Sequence, residues 1–400
     1  MRRFWRTTEG SIWTSHLISL AAAVFMMNFG QGLFRGASTN FYVDVLGLSG
    51  TQVLWQAGIR EIPGLGLMFI AALMMHLPLS QRGAASVLLM GIGYGLHALV
   101  GSYSGLIAVA LVGSLGFHNW MPLERALAMS LSTREKAGRV LGSLSSVRAL
   151  AAIVGVGAVA LSSRLFATLS LRAFYAIGGV LTASGAVLVA KLPTNLGSTR
   201  AAQPRMLLKR RYWLYYVLTL FEGSRMQVFG AFSTLILVQN YGLDVWEISL
   251  ILLASGIVNF VAAPFLGYLL DRLGERITLS TSYVALALCF IGYATLHNAW
   301  LLGALLVAIN LLVTLSMGLS TYVNRIAPPE ELTPTLSAGV SINHVTSVAM
   351  SLVAGTLLST VGYEPLCWGA ATIIMLSVPF ALLLQVRRPS LAQPTPATAE

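Results

Sequence analysis

The sequence predicts an all-α polytopic membrane protein: twelve transmembrane helices in two pseudo-symmetric six-helix bundles. Of its 400 residues, 56% are hydrophobic and only 10% are charged, with a mean hydropathy of +0.76. A soluble domain carries roughly 25% charged residues. Apolar stretches of about 20 residues, enough to cross a bilayer as a helix, recur along the whole chain. The basic residues fall almost entirely on one side of that alternation.

The chain opens on the basic segment MRRFWR, followed by an apolar run. No small-residue cleavage site follows promptly, so the run reads as a retained first helix. The spans fall at 14–39, 51–76, 84–102, 105–129, 139–162, 172–191, 212–239, 247–270, 277–296, 299–323, 335–359 and 365–386. Threaded from a cytoplasmic N-terminus, they put eighteen of the 25 Lys and Arg residues on one side. These are Arg2, Arg3, Arg6, Arg82, Arg134, Lys136, Arg139, Lys191, Arg200, Arg205, Lys209, Arg210, Arg211, Arg272, Arg276, Arg325, Arg387 and Arg388. The opposite side keeps Arg164 and Arg172. This is the positive-inside asymmetry; it accounts for the net charge of +11 without nucleic acid. Cys289 and Cys367 lie in apolar segments, so neither a disulfide framework nor a metal cluster is indicated.

The polar stretch 192–211, LPTNLGSTRAAQPRMLLKRR, reads as a cytoplasmic linker between a first bundle, 1–191, and a second, 212–386. Residues 387–400 read as a disordered cytoplasmic tail. The halves echo each other at an offset of 195. GASTNFYVDVLGL (36–48) aligns with AFSTLILVQNYGL (231–243), and Arg148 aligns with Asn343. Weak internal symmetry is the trace a duplicated transporter leaves in its sequence.

After span 8 comes GYLLDRLGER, residues 267–276. It resembles the signature loop of the major facilitator superfamily, G-x-L-x-D-R-x-G-x-R, at Gly267, Leu269, Asp271, Arg272, Gly274 and Arg276. With twelve spans and a basic central loop, the resemblance covers essentially the whole chain. It implies two bundles rocking about a central site, a monomer, and a gating role for Gly267, Asp271, Arg272, Gly274 and Arg276 at the cytoplasmic side. Asp271 is then expected to bond an arginine or a helix N-terminus in one conformation and not the other. Three departures stand out. Glu275 sits where that family often has a basic residue, and His76 replaces Asp271 in the first-half copy. Span 5, AAIVGVGAVA, lacks the proline common in the family's exporters.

Five arginines fall within spans (Arg35, Arg60, Arg125, Arg148 and Arg225) but only three acids, Glu61, Glu124 and Glu222. Charges at such depth should face protein or a watery cavity and mark function by default. Helical spacing gathers Asn28, Gln31 and Arg35 on one stripe of span 1, and Glu222 and Arg225 on one face of span 7. Spans 1 and 7 line the central cavity in the family, so Glu222 and Arg225 are expected to face it and stabilise each other; a purely structural ion pair is the alternative. Arg60 and Glu61 are expected to satisfy each other or neighbouring spans, with Pro63 kinking span 2. Arg148 has no acid within a turn, so its partner is another helix or a substrate.

An excess of two positive charges points to an anionic substrate, a carboxylate or phosphorylated metabolite held bidentately by Arg148 and Arg225. Asn28, Gln31, His118 and Asn343 complete the expected binding set, with Trp120, Tyr215, Tyr216 and Tyr322 as candidate walls. Glu222 and His344 are the expected proton-coupling groups, since a buried carboxylate or an imidazole can take up and release a proton. The alternative is proton-coupled efflux of amphiphilic drugs, with Glu222 reading cations. No metalloprotease, nucleophile or phosphate-loop motif is present, so the expectation is a secondary carrier without cofactor rather than an enzyme. Short loops and a short tail favour a bacterial inner membrane with both termini cytoplasmic.

Overall fold

The computed structural model describes residues 12–66, 74, 76–133, 136–166, 168–196 and 208–385. The basic N-terminus, residues 197–207 of the linker, Arg134 and the tail from 386 lie outside the described residues. Every regular element among the described residues is helical. In chain order they are α1 (Ser15–Asn40), α2 (Gly50–Ile59), α3 (Leu79–Leu96), α4 (Tyr103–Ser130), α5 (Ala137–Leu165) and α6 (Leu171–Ala190). The second bundle holds α7 (Trp213–Gln227, resuming at Ser233–Gln239), α8 (245–273), α9 (275–295), α10 (Ala299–Thr314 and Met317–Ile326), α11 (Pro329–Val361) and α12 (Tyr363–Leu382). Among the described residues, eight helices are long and apolar enough to cross a membrane. One of these, Val245–Thr295, comprises α8 and α9 with the turn at Gly274 between them, and α2, α3 and α7 complete the twelve.

The repeat read from the sequence is built into the local structure. α1 and α7 each pass through a π-helical turn, at Phe41–Val45 and Val228–Phe232. Gly47 and Gly242, one repeat apart, both adopt positive φ (64° and 68°), a conformation that costs glycine little. Leu48 N–H then bonds back to the Tyr42 carbonyl at 2.9 Å, and Leu243 N–H to that of Leu237 at 3.1 Å, closing both helices with the same wide turn across a glycine. The next residues, Ser49 and Asp244, are N-caps with complete capping boxes to Gln52 and Glu247, each cap contributing about 1 kcal/mol. Thr39 Oγ1 donates to Thr234 Oγ1 at 3.0 Å, so two repeat-equivalent side chains touch on the pseudo-twofold axis.

Small residues let the helices approach closely, as is usual where lipid offers no hydrophobic drive for association. A methyl on Gly155 of α5 would lie 2.9 Å from Gly32 Cα of α1, and one on Gly178 of α6 would lie 3.0 Å from the Gly30 carbonyl oxygen. Between the bundles, α2 packs on α11 and α5 on α8, two pairings exchanged by the pseudo-symmetry. The cross-bundle hydrogen bonds cluster towards the end of the molecule that carries loop 46–49. Asn40 Nδ2 donates to the Leu243 carbonyl (3.0 Å), Thr51 Oγ1 to Gly355 (2.8 Å), Trp55 Nε1 to Leu352 (3.1 Å) and Ser249 Oγ to Gly36 (3.1 Å). That end is closed.

Two helices differ from their sequence expectations. Spans 8 and 9 are not separated by a loop over 271–276. The run is helical except at Gly274 (φ 79°, ψ 165°), because one glycine in a left-handed conformation suffices to turn the chain. Span 2 is broken rather than merely kinked. α2 stops at Ile59, Arg60 and Glu61 form a turn, and one helical turn resumes at Ile62–Leu65. Pro63 has no N–H to offer the Ile59 carbonyl, so the helix cannot run through.

Candidate functional site

The break in α2 opens onto a cavity of about 400 Å³ between the bundles. α1 contributes Gln31, Arg35 and Thr39, and α2 contributes Gln56, with Arg60 and Glu61 following in the break. Tyr94 and His97 enter from the α3 end, Ser114 and His118 from α4, and Thr234 and Asn310 from the second bundle. Discontinuous helices at mid-membrane commonly form transporter sites, because freed backbone groups there are met by protein or solvent rather than lipid. Here the Arg60 carbonyl is met by the Ser114 hydroxyl.

Two guanidinium groups and one carboxylate line this space. Arg60 Nη2 is 3.6 Å from Glu61 Oε1. Among the described residues Arg35 makes no ion pair and its guanidinium no hydrogen bond, leaving its charge to the cavity. His97 donates from Nδ1 to the Gly93 carbonyl at 2.7 Å, and its Nε2 has no hydrogen-bond partner. Glu61 Oε2 lies 3.2 Å from His118 Nε2 and 3.2 Å from His344 Nδ1 on α11. The two imidazole rings meet edge to face with centroids 4.9 Å apart.

Of the residues singled out by the sequence, Gln31 and His118 line the cavity and His344 adjoins it through Glu61. The others lie elsewhere. Asn28 donates to the Val24 carbonyl within its own helix at 2.7 Å. Arg148 is paired with Glu124 of α4, the partner on another helix that its isolation implied. Arg225 is buried, its guanidinium carbon 4.3 Å from the centre of the Tyr283 ring, with Nη1 unpartnered. No close ion pair joins it to Glu222, although the Arg225 charge still attracts that carboxyl, which also reaches Ser316 between the two segments of α10. Asn343 faces Ser347 within α11. None of Trp120, Tyr215, Tyr216 and Tyr322 is among the cavity-lining residues; Trp120, Tyr215 and Tyr322 are core residues instead. The sequence put Arg35 only on the polar stripe of span 1 and Arg60 only in a local pair, and gave no sign of His97. Charged residues just before Pro63 were the available signal.

In the signature stretch, Asp271 is 78% exposed at the side chain and 3.7 Å from Arg325 of α10. Glu275, the departure from the family pattern, is 1% exposed; it accepts from Arg325 Nε at 2.8 Å and Thr321 Oγ1 at 2.9 Å. Arg272 and Arg276 are exposed, and the space around Gly267 is open. The linker end is pinned separately: Lys209 and Tyr212 each bond Glu331 at 2.8 Å, and Arg211 joins them.

Residues 214–400 match the Major Facilitator Superfamily. No curated protein sequence matches the chain. Among solved structures, the nucleoside transporter NupG superposes with a TM-score of 0.70 at 16% identity, covering 93% of this chain and 97% of that one. A POT family transporter in complex with 5-aminolevulinic acid gives 0.72 at 11% identity, covering 92% and 95%. Peptide transporter POT gives 0.72 at 13%, covering 92% and 93%. By sequence the second bundle matches the major facilitator superfamily, and by fold nearly the whole chain resembles these solved transporters.

Proposed function

We propose that this protein is a secondary transporter that carries a small organic anion, a carboxylate or phosphorylated metabolite, by alternating access across a bacterial inner membrane. One observation carries the reading: the cavity between the bundles holds two guanidinium groups against one carboxylate, and among the described residues the Arg35 guanidinium has no ion-pair or hydrogen-bond partner. An unpaired charge at such depth is costly, and an anionic solute supplies the missing counter-ion. Guanidinium binds carboxylate or phosphate through two parallel hydrogen bonds. This moves the substrate role from Arg148 and Arg225 to Arg35 and Arg60, with Gln31, Gln56 and His97 as polar contacts.

In this reading the end carrying loop 46–49 faces outside and both termini face the cytoplasm, which the asymmetry of basic residues supports, and the working unit is a single chain. Proton coupling resides in Glu222, a buried carboxyl in reach of Ser316 that makes no close ion pair with Arg225. The stretch 267–276 serves as a cytoplasmic hinge, with Gly274 as its turn and Asp271 free to exchange partners as the bundles rock.

A ligand-induced thermal-shift screen tests this, comparing small organic anions with lipophilic cations on detergent-purified protein. Anions should stabilise the wild type and lose that effect in Arg35→Gln. Stabilisation by lipophilic cations alone, lost in Glu222→Gln and kept in Arg35→Gln, would overturn the anion reading in favour of amphiphile efflux.

A further inference from the structure

Glu61, His118 and His344 meet across the boundary between the bundles, and the bonding around His118 limits what they can share. The Ser114 hydroxyl gives its proton to the Arg60 carbonyl, so towards His118 Nδ1, 3.0 Å away, it can only accept. The Ser114 carbonyl accepts from the same nitrogen at 2.9 Å. With acceptors on both sides, Nδ1 carries the ring proton. When the ring is neutral it therefore presents the Nε2 lone pair to Glu61 Oε2 at 3.2 Å. His344 Nδ1 lies 3.2 Å from that oxygen yet makes no hydrogen bond. Two imidazole nitrogens and a carboxylate oxygen, all within 4.8 Å of one another, thus converge on one point.

A metal ion satisfies that arrangement. Bonds of roughly 2.0–2.1 Å to a tetrahedral ion place neighbouring donor atoms about 3.3–3.4 Å apart, close to the 3.2 Å from Glu61 Oε2 to each histidine nitrogen. Lone pairs aimed at a shared ion, rather than at each other, also explain the poor hydrogen-bond geometry of His344. The outer contacts fit: a metal-binding imidazole ordinarily donates its other N–H to a carbonyl or carboxylate, as His118 does. Arg60 holds Glu61 Oε1, leaving Oε2 to the histidines. Two imidazoles and one carboxylate suit zinc, cobalt or nickel rather than calcium or magnesium, which prefer oxygen cages.

We propose that Glu61 Oε2, His118 Nε2 and His344 Nδ1 form a binding site for a divalent ion of the zinc class. The fourth position opens towards the cavity, which Glu61 and His118 both line. Glu61 and His118 belong to the first bundle and His344 to the second, so an occupied site ties α4 and the break after α2 to α11 and arrests their relative motion. The inference is independent of the anion reading.

The test uses full-length protein purified without a polyhistidine tag and stripped with a chelator. Zn²⁺ binding is followed by calorimetry, and Co²⁺ binding by visible absorption, which is intense for tetrahedral sites. The expected result is one equivalent of either ion, with the tetrahedral Co²⁺ spectrum lost in His344→Ala and kept in His297→Ala, an exposed histidine elsewhere. His118→Ala should behave as His344→Ala; if it does not fold, the wild-type spectrum and His344→Ala decide. Absence of a stoichiometric tetrahedral spectrum, or one that survives His344→Ala, would overturn the proposal and leave the three groups to share protons alone.

Discussion

Gly355 sits where α11 crosses α2, and an added methyl tests whether the closed end of the molecule is one state of a moving interface. In Gly355→Ala the new Cβ would lie 2.6 Å from Trp55 Cδ1, 3.0 Å from its Nε1 and 3.1 Å from the Thr51 carbonyl oxygen. Trp55 is itself tied to the Leu352 carbonyl, and Thr51 to Gly355, so neither neighbour can withdraw while the bundles stay in contact. Overpacking of this kind costs about 1–3 kcal/mol. Because the clash lies between bundles, separating them relieves it, and the closed state alone bears the cost. A differential of that size shifts a two-state equilibrium by roughly 5- to 150-fold. The assay is a distance distribution between spin labels at Val45→Cys and Val361→Cys, exposed positions in opposite bundles near that end. Cys289 and Cys367 are both buried and compete little for label. The expected result is a longer-distance population that grows in Gly355→Ala, while Gly369→Ala, where a methyl meets open space, leaves the distribution unchanged. An unchanged distribution in Gly355→Ala, accompanied by lower thermal stability, would refute the reasoning and make the contact a fixed part of one rigid body.

Other consequences concern the two charged clusters and the hinge. Glu124→Gln strands the Arg148 guanidinium. Breaking a buried pair costs about 3–5 kcal/mol, and the 43% exposure of Arg148 reduces this to about 1–2 kcal/mol through solvent screening. The thermal midpoint should therefore fall in Glu124→Gln and partly recover in the double variant with Arg148→Gln; no recovery would show that the two do not act as a pair. Gly274→Ala should cost about 1–2 kcal/mol from backbone strain alone, since φ is +79° and nothing lies within 4 Å of the new methyl; an unchanged midpoint would show that the turn tolerates a side chain. Arg325→Gln removes the guanidinium from buried Glu275. It should destabilise the second bundle more than Asp271→Asn does, because Asp271 is exposed; equal effects would contradict the partition of roles between the two acids.

The fold was legible because its determinants are local and repeated. Span lengths, the basic asymmetry and the 195-residue echo need no knowledge of packing, and the echo reappears in Gly47 and Gly242, in the two capping boxes and in the Thr39–Thr234 contact. The site was only partly legible. Helical spacing tells which residues share a face but not what that face meets. Arg225 and Glu222 lie on one face of α7, yet packing sends the arginine onto Tyr283 and the acid towards Ser316. Arg148 finds its partner 24 residues away on α4, and Glu61 meets a histidine of the other bundle, contacts that no local pattern encodes. Pro63 marked a disturbance in span 2; only the three-dimensional arrangement shows that the break carries Arg60 and Glu61 into the cavity.

The central claim is that Arg35, rather than Arg148, reads an anionic solute in the cavity between the bundles. The most direct measurement is counterflow in proteoliposomes of the anion that most stabilises the purified protein. It compares wild type, Arg35→Gln and Arg148→Gln at matched reconstitution. The account predicts saturable exchange in the wild type and in Arg148→Gln, and its loss in Arg35→Gln. Exchange that persists in Arg35→Gln and disappears in Arg148→Gln would contradict it.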